Sequence, residues 1–542
     1  MWPRIDDKKK MTFLKKLASS LLLVLLLASC VSAPPPAPKP KLVVFFVIDG
    51  LPQRQVTGYR DQLAPDGFAR FLDRGVAFTE AHYAHAFTVT AAGHATLLTG
   101  ASPARHGIIG NEWRDPATGA EVYCTGDTAA TYIGNPTRPL DGTSPRNLKV
   151  ETLGDVMKRL DPRAKVIGIS GKDRGAILPA GHAGTAYMYQ SGSGQFASST
   201  YYLPRHPAWV EAFNAEKRAD RYVGTDWKPL LPDAAYARSL PFGAVGPKEV
   251  LPLRLPDYAS LLRSPYADAL SLDFARAAIA GEQLGRDDVP DLLVVSLSGH
   301  DYVNHAFSAE SRFSQDHLLQ LDRLLQDFFR DLDAGVGRDN YIAVLSADHG
   351  FTPAPETSKA RGQEGGRIDG AKMLQQVNLD LQRRFGVPRL VVGSSASALL
   401  LDKGLIASNR LDLDAVTSAT RDAVAAQDGI AVAYTRRELE AGSRPGAPFF
   451  EAMQRSFNRE RSGDVQYATR PGWMFGTSTA THGSPHEADT HVPILFWGPR
   501  WMKAQAVATP VQTVDIAPTL AHLLGVPAPA ASEGKLLPLA AP

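Results

Sequence analysis

Five short runs in this chain are apolar on both of the faces a strand would present. They are Leu42–Ile48 (LVVFFVI), 165–170, Asp291–Leu297, Tyr341–Ser346 and 492–497. A strand with one wet face alternates apolar and polar residues. A near-continuous Val/Ile/Leu/Phe run is covered on both sides, as in the middle of a parallel sheet. Between the runs lie stretches with helical apolar spacing, 150–160 and 311–332. The second places Leu318, Leu319, Leu321, Leu325 and Phe328 on one stripe. Strands alternating with helices predict an α/β fold: a mostly parallel central sheet flanked by helices. The stretch 514–525 reads as a closing helix ended by Gly525. Two long segments, about 179–285 and 353–475, are rich in Pro, Gly, Tyr and Arg and break the alternation. They are expected to form inserted cap segments over a cleft, within one catalytic domain spanning 42–542.

The chain has 542 residues, 44% of them hydrophobic and 21% charged, with a formal net charge of +2. This is an ordinary globular composition. It lacks the basic excess a nucleic-acid partner would require, so none is expected. Residues 1–30 read as a processing segment outside the fold. Lys8, Lys9, Lys10, Lys15 and Lys16 precede the apolar run 21–27, which is too short to span a bilayer as a helix. Leu27-Ala28-Ser29-Cys30 resembles a bacterial lipobox, which implies export and a lipid anchor at Cys30. A periplasmic or outer-membrane-anchored lipoprotein is therefore expected. The Pro-rich stretch 31–41 would follow as an extended tether. Beyond Cys30 only Cys124 remains, so no internal disulfide framework is available.

Acidic and imidazole side chains gather where the apolar runs end. Asp49 closes VVFFVIDG, Asp301 and His305 lie in SGHDYVNH, Asp348 and His349 in VLSADHG, and His482 in THGSP. In open α/β sheets the carboxyl ends of the strands are where ligands bind. Asp301 and His305, four apart, would share one face of a helix. Adjacent residues on a regular strand point oppositely, so Asp348 and His349 can converge only if the chain turns there, next to Gly350. Mixed imidazole and carboxylate ligands suit zinc. Thr90, in FTVTAAGH, would stand near the start of a helix running through His94 to Leu98, where backbone N–H groups favour anions. A threonine hydroxyl is a poor nucleophile unless a base or a metal activates it. Thr88 offers the same hydroxyl two residues earlier.

The motifs VIDG, T-x-x-G-H-A-T-x-x-T-G, D-x-x-x-H, D-H-G and T-H-G, in this order, resemble the alkaline phosphatase superfamily. Within it the chain looks most like the bacterial phosphate-irrepressible alkaline phosphatases that use a threonine nucleophile. The resemblance implies two Zn²⁺ ions, one held by Asp301, His305 and His482 and the other by Asp49, Asp348 and His349. It makes Thr90 both nucleophile and metal contact, attacking phosphate monoesters to form a covalent phosphothreonine. Asn111, in GIIGNEW, and Lys172 and Arg174, in SGKDRGAIL, match the phosphate-binding residues of that group. Arg offers phosphoryl oxygens a planar fork, Lys a point charge and Asn an N–H.

Two alternatives remain at this level. A nucleotide pyrophosphatase/phosphodiesterase of the same superfamily shares the ligand set and the threonine. A non-catalytic, metal-stabilised surface protein would keep the ligands without turnover. A sulfatase reading is disfavoured, because Ala101-Ser102-Pro103-Ala104-Arg105 has Ala where the family's modified Cys or Ser would stand. His94 is the best candidate to orient a ligand, since it follows Thr90 by one helical turn.

Overall fold

The computed structural model describes residues 38–542. The expected processing segment 1–30, with Cys30, and residues 31–37 of the expected tether lie outside the described residues. Nine strands form the main sheet: β1 Leu42–Ile48, β2 Val76–Phe78, β3 Val166–Ser170, β4 Thr185–Gln190, β5 Gln195–Ala197, β6 Asp291–Leu297, β7 Tyr341–Ser346, β8 Ile494–Trp497 and β9 Gln505–Val507. Their order is β9-β2-β8-β7-β1-β6-β3-β4-β5. The centre, β7-β1-β6-β3-β4, is parallel throughout. β8 runs antiparallel to β7 and to β2, and β5 runs antiparallel to β4. The run at 492–497 is thus a buried strand as expected, but it enters the sheet in the opposite direction. Burial on both faces reports where a strand sits, not which way it runs.

All seven side chains of β1 are fully buried. Helices flank the sheet in two groups. α1 (Thr90–Thr99), α2 (Leu153–Leu160), α3 (Asp173–Ala180) and α7 (Ile516–Leu524) contact one another, as do α4 (Pro265–Gly281), α5 (Gly299–Phe307) and α6 (Arg312–Leu332). α6 buries Leu318, Leu319, Leu321, Leu325 and Phe328. Phe328 and Phe329 meet Phe46 of β1 edge-on at 5.6 and 5.5 Å between ring centroids. Ser311 caps α6 by accepting from the Ser314 N–H, and Gly525, in the left-handed region, ends α7.

The stretch 179–285 differs from the expected insertion. It supplies β4 and β5 to the main sheet and α4 to a flanking layer. Ala186, Tyr187, Met188, Tyr189, Phe196 and Ala197 of this strand pair are all buried, but they include none of the Val, Ile or Leu that marks the central strands. The stretch 353–475 builds a second, four-stranded antiparallel sheet. The order is Val391–Ser395, Ala398–Leu401, Val465–Thr469, Ile430–Thr435. Helices Gly370–Phe385 and Leu413–Ala425 accompany it, and its own core includes Val377, Leu381, Leu399, Val416, Val424 and Val465. Among the described residues no helix is long and apolar enough to cross a membrane.

Candidate metal centre

The three central strands β7, β1 and β6 end in register, with Ile48 beside Leu297 and Val47 beside Ser346. Asp49 follows β1, Asp348 lies two residues past β7, and Asp301 sits in the first turn of α5 just beyond β6. The sequence therefore places three carboxylates at adjacent points on one sheet edge. α5 brings His305 Nε2 to 3.4 Å from Asp301 Oδ1, the i,i+4 pairing expected from the spacing. His482 Nε2 lies 3.6 Å from the same oxygen. His349 Nε2 lies 3.5 Å from Asp49 Oδ1 and 3.4 Å from Asp348 Oδ2. The chain does turn after β7. The Gly350 N–H donates to Asp489 O at 2.7 Å, and a Cβ at Gly350 would stand 2.3 Å from Ala488 O. Gly350 is required there for close backbone approach.

All six expected ligands thus converge in two groups, Asp301–His305–His482 and Asp49–Asp348–His349. Within each, one ligand atom per residue lies within 4.8 Å of the others. The groups adjoin: the His349 and His482 rings stack at 3.4 Å, and His349 Nε2 is 4.0 Å from Asp301 Oδ1.

Each imidazole is locked in one tautomer by a backbone carbonyl. His305 Nδ1–H donates to Ala480 O at 3.0 Å, His349 Nδ1–H to Gly350 O at 2.8 Å, and His482 Nδ1–H to Thr88 O at 2.7 Å. In every case Nε2 keeps its lone pair and faces the carboxylates, the arrangement that metal-ligating histidines adopt. Burial keeps His349 and His482 below the ordinary histidine value, favouring the neutral ligand form. Asp49 Oδ1, Asp301 Oδ1, Asp348 Oδ2 and His349 Nε2 are buried without a hydrogen-bond partner, and Asp49 Oδ2 meets only the Lys172 ammonium. Orphaned buried polar atoms are costly. Four of them aimed into two small groups fit a pair of divalent cations.

The electrostatics divide the carboxylates. Burial and the neighbouring Asp348 push Asp49 well above the usual carboxylate range. Burial would raise Asp301 too, but Lys172 and the surrounding imidazoles hold it well below. Lys172, fully buried at the start of α3, donates to Asp301 Oδ2 at 2.6 Å and lies 2.7 Å from Asp49 Oδ2. Burial opposes its charge, but Asp301 and Asp49 raise it above the ordinary lysine value.

Thr90 is the first residue of α1 and is 1% exposed. It is tied to both ligand groups through its neighbours. Thr88 O receives the His482 Nδ1–H described above. His94, one turn on, donates from Nδ1 to Thr90 O at 2.9 Å and lies 3.2 Å from Asp348 Oδ2. Its Nε2 meets Ser296 Oγ at 2.8 Å. A Cβ on Gly93 would stand 2.0 Å from Asp348 O, so only glycine lets the first turn of α1 seat against β7's end. Asn111 Oδ1 accepts the Ala91 N–H at 2.9 Å, beside Thr90. Arg174 Nη1 donates to Tyr123 Oη at 3.1 Å, and Tyr123 in turn donates to Asp173 Oδ1 at 2.6 Å. Lys172, Asp173, Arg174 and Tyr302 line a cleft of about 500 Å³ together with Arg138 and Gln190. A second cavity, about 180 Å³, reaches His482 and is walled by Tyr467, Trp473 and Phe475 of the antiparallel unit.

Two contributors were given no binding role from the sequence. The Tyr302 ring packs under the Lys172 ammonium at 4.9 Å, and Tyr123 anchors Arg174. Tyr302 adjoins Asp301 in the D-x-x-x-H motif, but adjacency alone does not mark a side chain as facing the site.

An α/β sheet with two acid–imidazole groups at its carboxyl edge, next to a threonine at a helix start, defines the alkaline phosphatase-like class of metal-dependent hydrolase folds. The chain belongs to the type I phosphodiesterase/nucleotide pyrophosphatase family, whose model matches residues 43–492. It is 34% identical over 516 residues to the alkaline phosphatase PafA of Elizabethkingia meningoseptica, covering 92% of this chain and 94% of that one. A crystal structure of wild-type PafA superposes with a TM-score of 0.86 at 33% identity, covering 93% and 99% of the two chains. The alkaline phosphatase PhoV of Synechococcus elongatus is 35% identical, with 92% of each chain covered. A Myroides odoratus protein named as a calcium-transporting ATPase is also 35% identical, covering 92% and 94%.

Proposed function

We propose that this protein is an alkaline phosphatase that hydrolyses phosphate monoesters through a phosphothreonine at Thr90, with two zinc ions as cofactors. The observation that carries the reading is the convergence of three tautomer-locked imidazoles and three carboxylates, four of whose atoms are buried orphans, beside Thr90 at the head of α1. The names of the relatives above, phosphatases and an ATPase, share one chemistry, removal of a phosphoryl group to water. Asp301, His305 and His482 would hold one ion and Asp49, Asp348 and His349 the other. When bound, the two cations would favour the Thr90 alkoxide and neutralise charge on the phosphoryl and leaving oxygens.

The chain's own groups do the rest. Thr90 Oγ attacks phosphorus, the Thr–O–P bond forms and the ester P–O bond breaks, releasing the alcohol. Water then attacks phosphorus and breaks the Thr–O–P bond, which frees phosphate. Asn111 spends its Oδ1 on the Ala91 N–H, which leaves its NH₂ as a donor for a phosphoryl oxygen. Lys172 and Arg174 supply fixed positive charge to the remaining oxygens. His94 holds Thr90's carbonyl and approaches Asp348, keeping α1 in register with β7.

Steady-state hydrolysis of nitrophenyl phosphate by the zinc-loaded protein tests this. Thr90→Ala is expected to lower kcat/KM by roughly a thousandfold or more, and Thr90→Ser to retain a phosphoenzyme trappable by acid quench. Undiminished turnover in Thr90→Ala would end the proposal. The phosphodiesterase reading is supported by the family description, and bis-nitrophenyl phosphate turned over faster than the monoester would establish it instead. Export with a lipid anchor at Cys30 belongs to the same proposal and rests on the lipobox-like LASC. Cys30→Ser is expected to move the protein from the membrane fraction to the soluble fraction; an unchanged distribution would refute the anchor.

A further inference from the structure

A third group of ligand-type side chains stands outside the centre described above. Glu80 and His82 follow β2, and His491 precedes β8; one ligand atom from each lies within 4.8 Å of the others. His82 Nε2 is 4.0 Å from Glu80 Oε2, and His491 Nδ1 is 3.8 Å from Glu487 Oε1. The two imidazoles stack at 4.5 Å between centroids. As in the central site, each ring has one nitrogen engaged away from the carboxylates. His491 Nε2–H donates to Thr79 O at 2.7 Å, leaving the Nδ1 lone pair beside Glu487. His82 Nδ1 meets Thr490 Oγ1 at 3.3 Å, leaving Nε2 toward Glu80. Burial and the facing His491 keep His82 below the ordinary histidine value, which favours the unprotonated ligand form.

The backbone beneath is already fixed. His82 and His491 face each other in an antiparallel bridge, Tyr83 N–H donates to Thr490 O at 2.9 Å, and Val492 N–H donates to Ala81 O at 3.0 Å. A cation here would meet a preformed pair of imidazoles and would not have to order the chain to bind. We propose that Glu80, His82 and His491, with Glu487 beside them, form a third, peripheral site for a borderline divalent cation of the Zn²⁺, Co²⁺ or Ni²⁺ type. Two imidazoles with carboxylate select this class over Ca²⁺ and Mg²⁺, which take all-oxygen shells. The side chains of His82 and Glu80 are 33% and 50% exposed, so the ion keeps water ligands and exchanges with solvent.

Its role follows from what it clamps. The segment from His482 to His491 is braced in its middle by Asp489, whose Oδ2 accepts the Ser484 N–H and Oγ–H at 2.9 and 2.6 Å and whose Oδ1 accepts Thr352 Oγ1 at 2.7 Å. His482 stands at one end, in the centre. The peripheral ion would fasten the other end to the strand pair at 81–83, steadying the loop that presents His482.

The test is metal content and stability of the full protein, with Zn²⁺ as the probe. Glu80→Gln and the double substitution His82→Gln/His491→Gln change partly exposed side chains and leave the centre untouched. By elemental analysis after equilibration with excess Zn²⁺ and gel filtration, wild type should carry one more ion per chain than the double variant, whatever the occupancy of the centre. In Zn²⁺ titrations followed by calorimetry, Glu80→Gln should weaken one class of site by at least about tenfold, the lower range for losing even an outer partner of a ligand. The Zn²⁺-dependent rise in melting temperature should be smaller in both variants. If the double variant misfolds, the Glu80→Gln titration decides alone. Equal metal content with superimposable titrations would overturn the proposal.

Discussion

At the residue scale, Lys172 is the proposed determinant of which phosphate esters the site favours. Its ammonium is buried between Asp49 and Asp301; burial opposes its charge, and the two carboxylates favour it. A monoester carries one more negative charge than a diester at alkaline pH, so a fixed cation at this point contributes more to the first than to the second. Arg174, held by Tyr123, adds a second fixed charge on the same cleft wall. Lys172→Ala and Arg174→Ala are therefore each expected to lower monoester kcat/KM by about a hundredfold, with a clearly smaller loss for the diester. Parallel kinetics on nitrophenyl phosphate and bis-nitrophenyl phosphate measure the ratio, and equal losses would remove the charge argument. The convergence of the acid and imidazole groups was legible, since Asp49, Asp301 with His305, and Asp348 with His349 stand shortly after doubly buried strands. The carbonyls that orient His305, His349 and His482 were not, because Ala480, Gly350 and Thr88 contribute only backbone oxygen, which every residue possesses.

At the scale of elements, α2 shows how a flanking helix is pinned near the site layer. Thr152 and Asp155 form a reciprocal capping box, with Thr152 N–H to Asp155 Oδ2 at 2.8 Å and Asp155 N–H to Thr152 Oγ1 at 3.2 Å. Asp155 also accepts the Ala183 N–H at 2.7 Å and faces His182 Nδ1 at 3.2 Å, so the start of α2 is tied to the end of α3. The hydrogen bond to Asp155 raises His182 above its ordinary 6.5. Burial would raise Asp155, but the His182 and backbone hydrogen bonds hold it below its ordinary 3.8. The His182 contribution is complete below pH 6.5 and fades as pH rises through the folded value. The Asp155 contribution is complete above pH 3.8 and fades as pH falls through its folded value. The stability gap between wild type and His182→Gln should thus be widest near pH 5 and shrink toward pH 8.5, as read by urea midpoints at matched metal loading. A gap that widened with pH would contradict the pairing. Helix positions such as this one followed from spacing and caps, and so did the strand positions. Strand direction at 494–497 did not, nor did membership of 185–197 in the main sheet. A doubly apolar run looks the same in either direction, and short strands built of Ala, Tyr, Met and Phe lack the aliphatic run that marks a central strand.

For the whole molecule, the six side chains of the centre come from positions 49 to 482 of the chain, from the segments that follow three different strands and from one later segment at His482. A pair of cations held there clips together segments hundreds of residues apart, so their binding energy is stability of the entire body and not of one loop. Without them, three buried carboxylates face one another with Lys172 between two of them, and Asp49 is pushed toward its neutral form by burial and by Asp348. Loading the centre would relieve that repulsion and favour the ionised form of Asp49, since a carboxylate binds metal deprotonated. Chelation is accordingly expected to lower the melting temperature, with the loss restored by Zn²⁺. At a hundredfold excess over the dissociation constant each ion would contribute about 2.7 kcal/mol. Calorimetric Zn²⁺ titration in two buffers of different ionisation enthalpy should also register protons released on binding, more at pH 6 than at pH 8. A chelator-treated protein that melts where the loaded one does, with no proton release, would show that these six side chains do not hold metal.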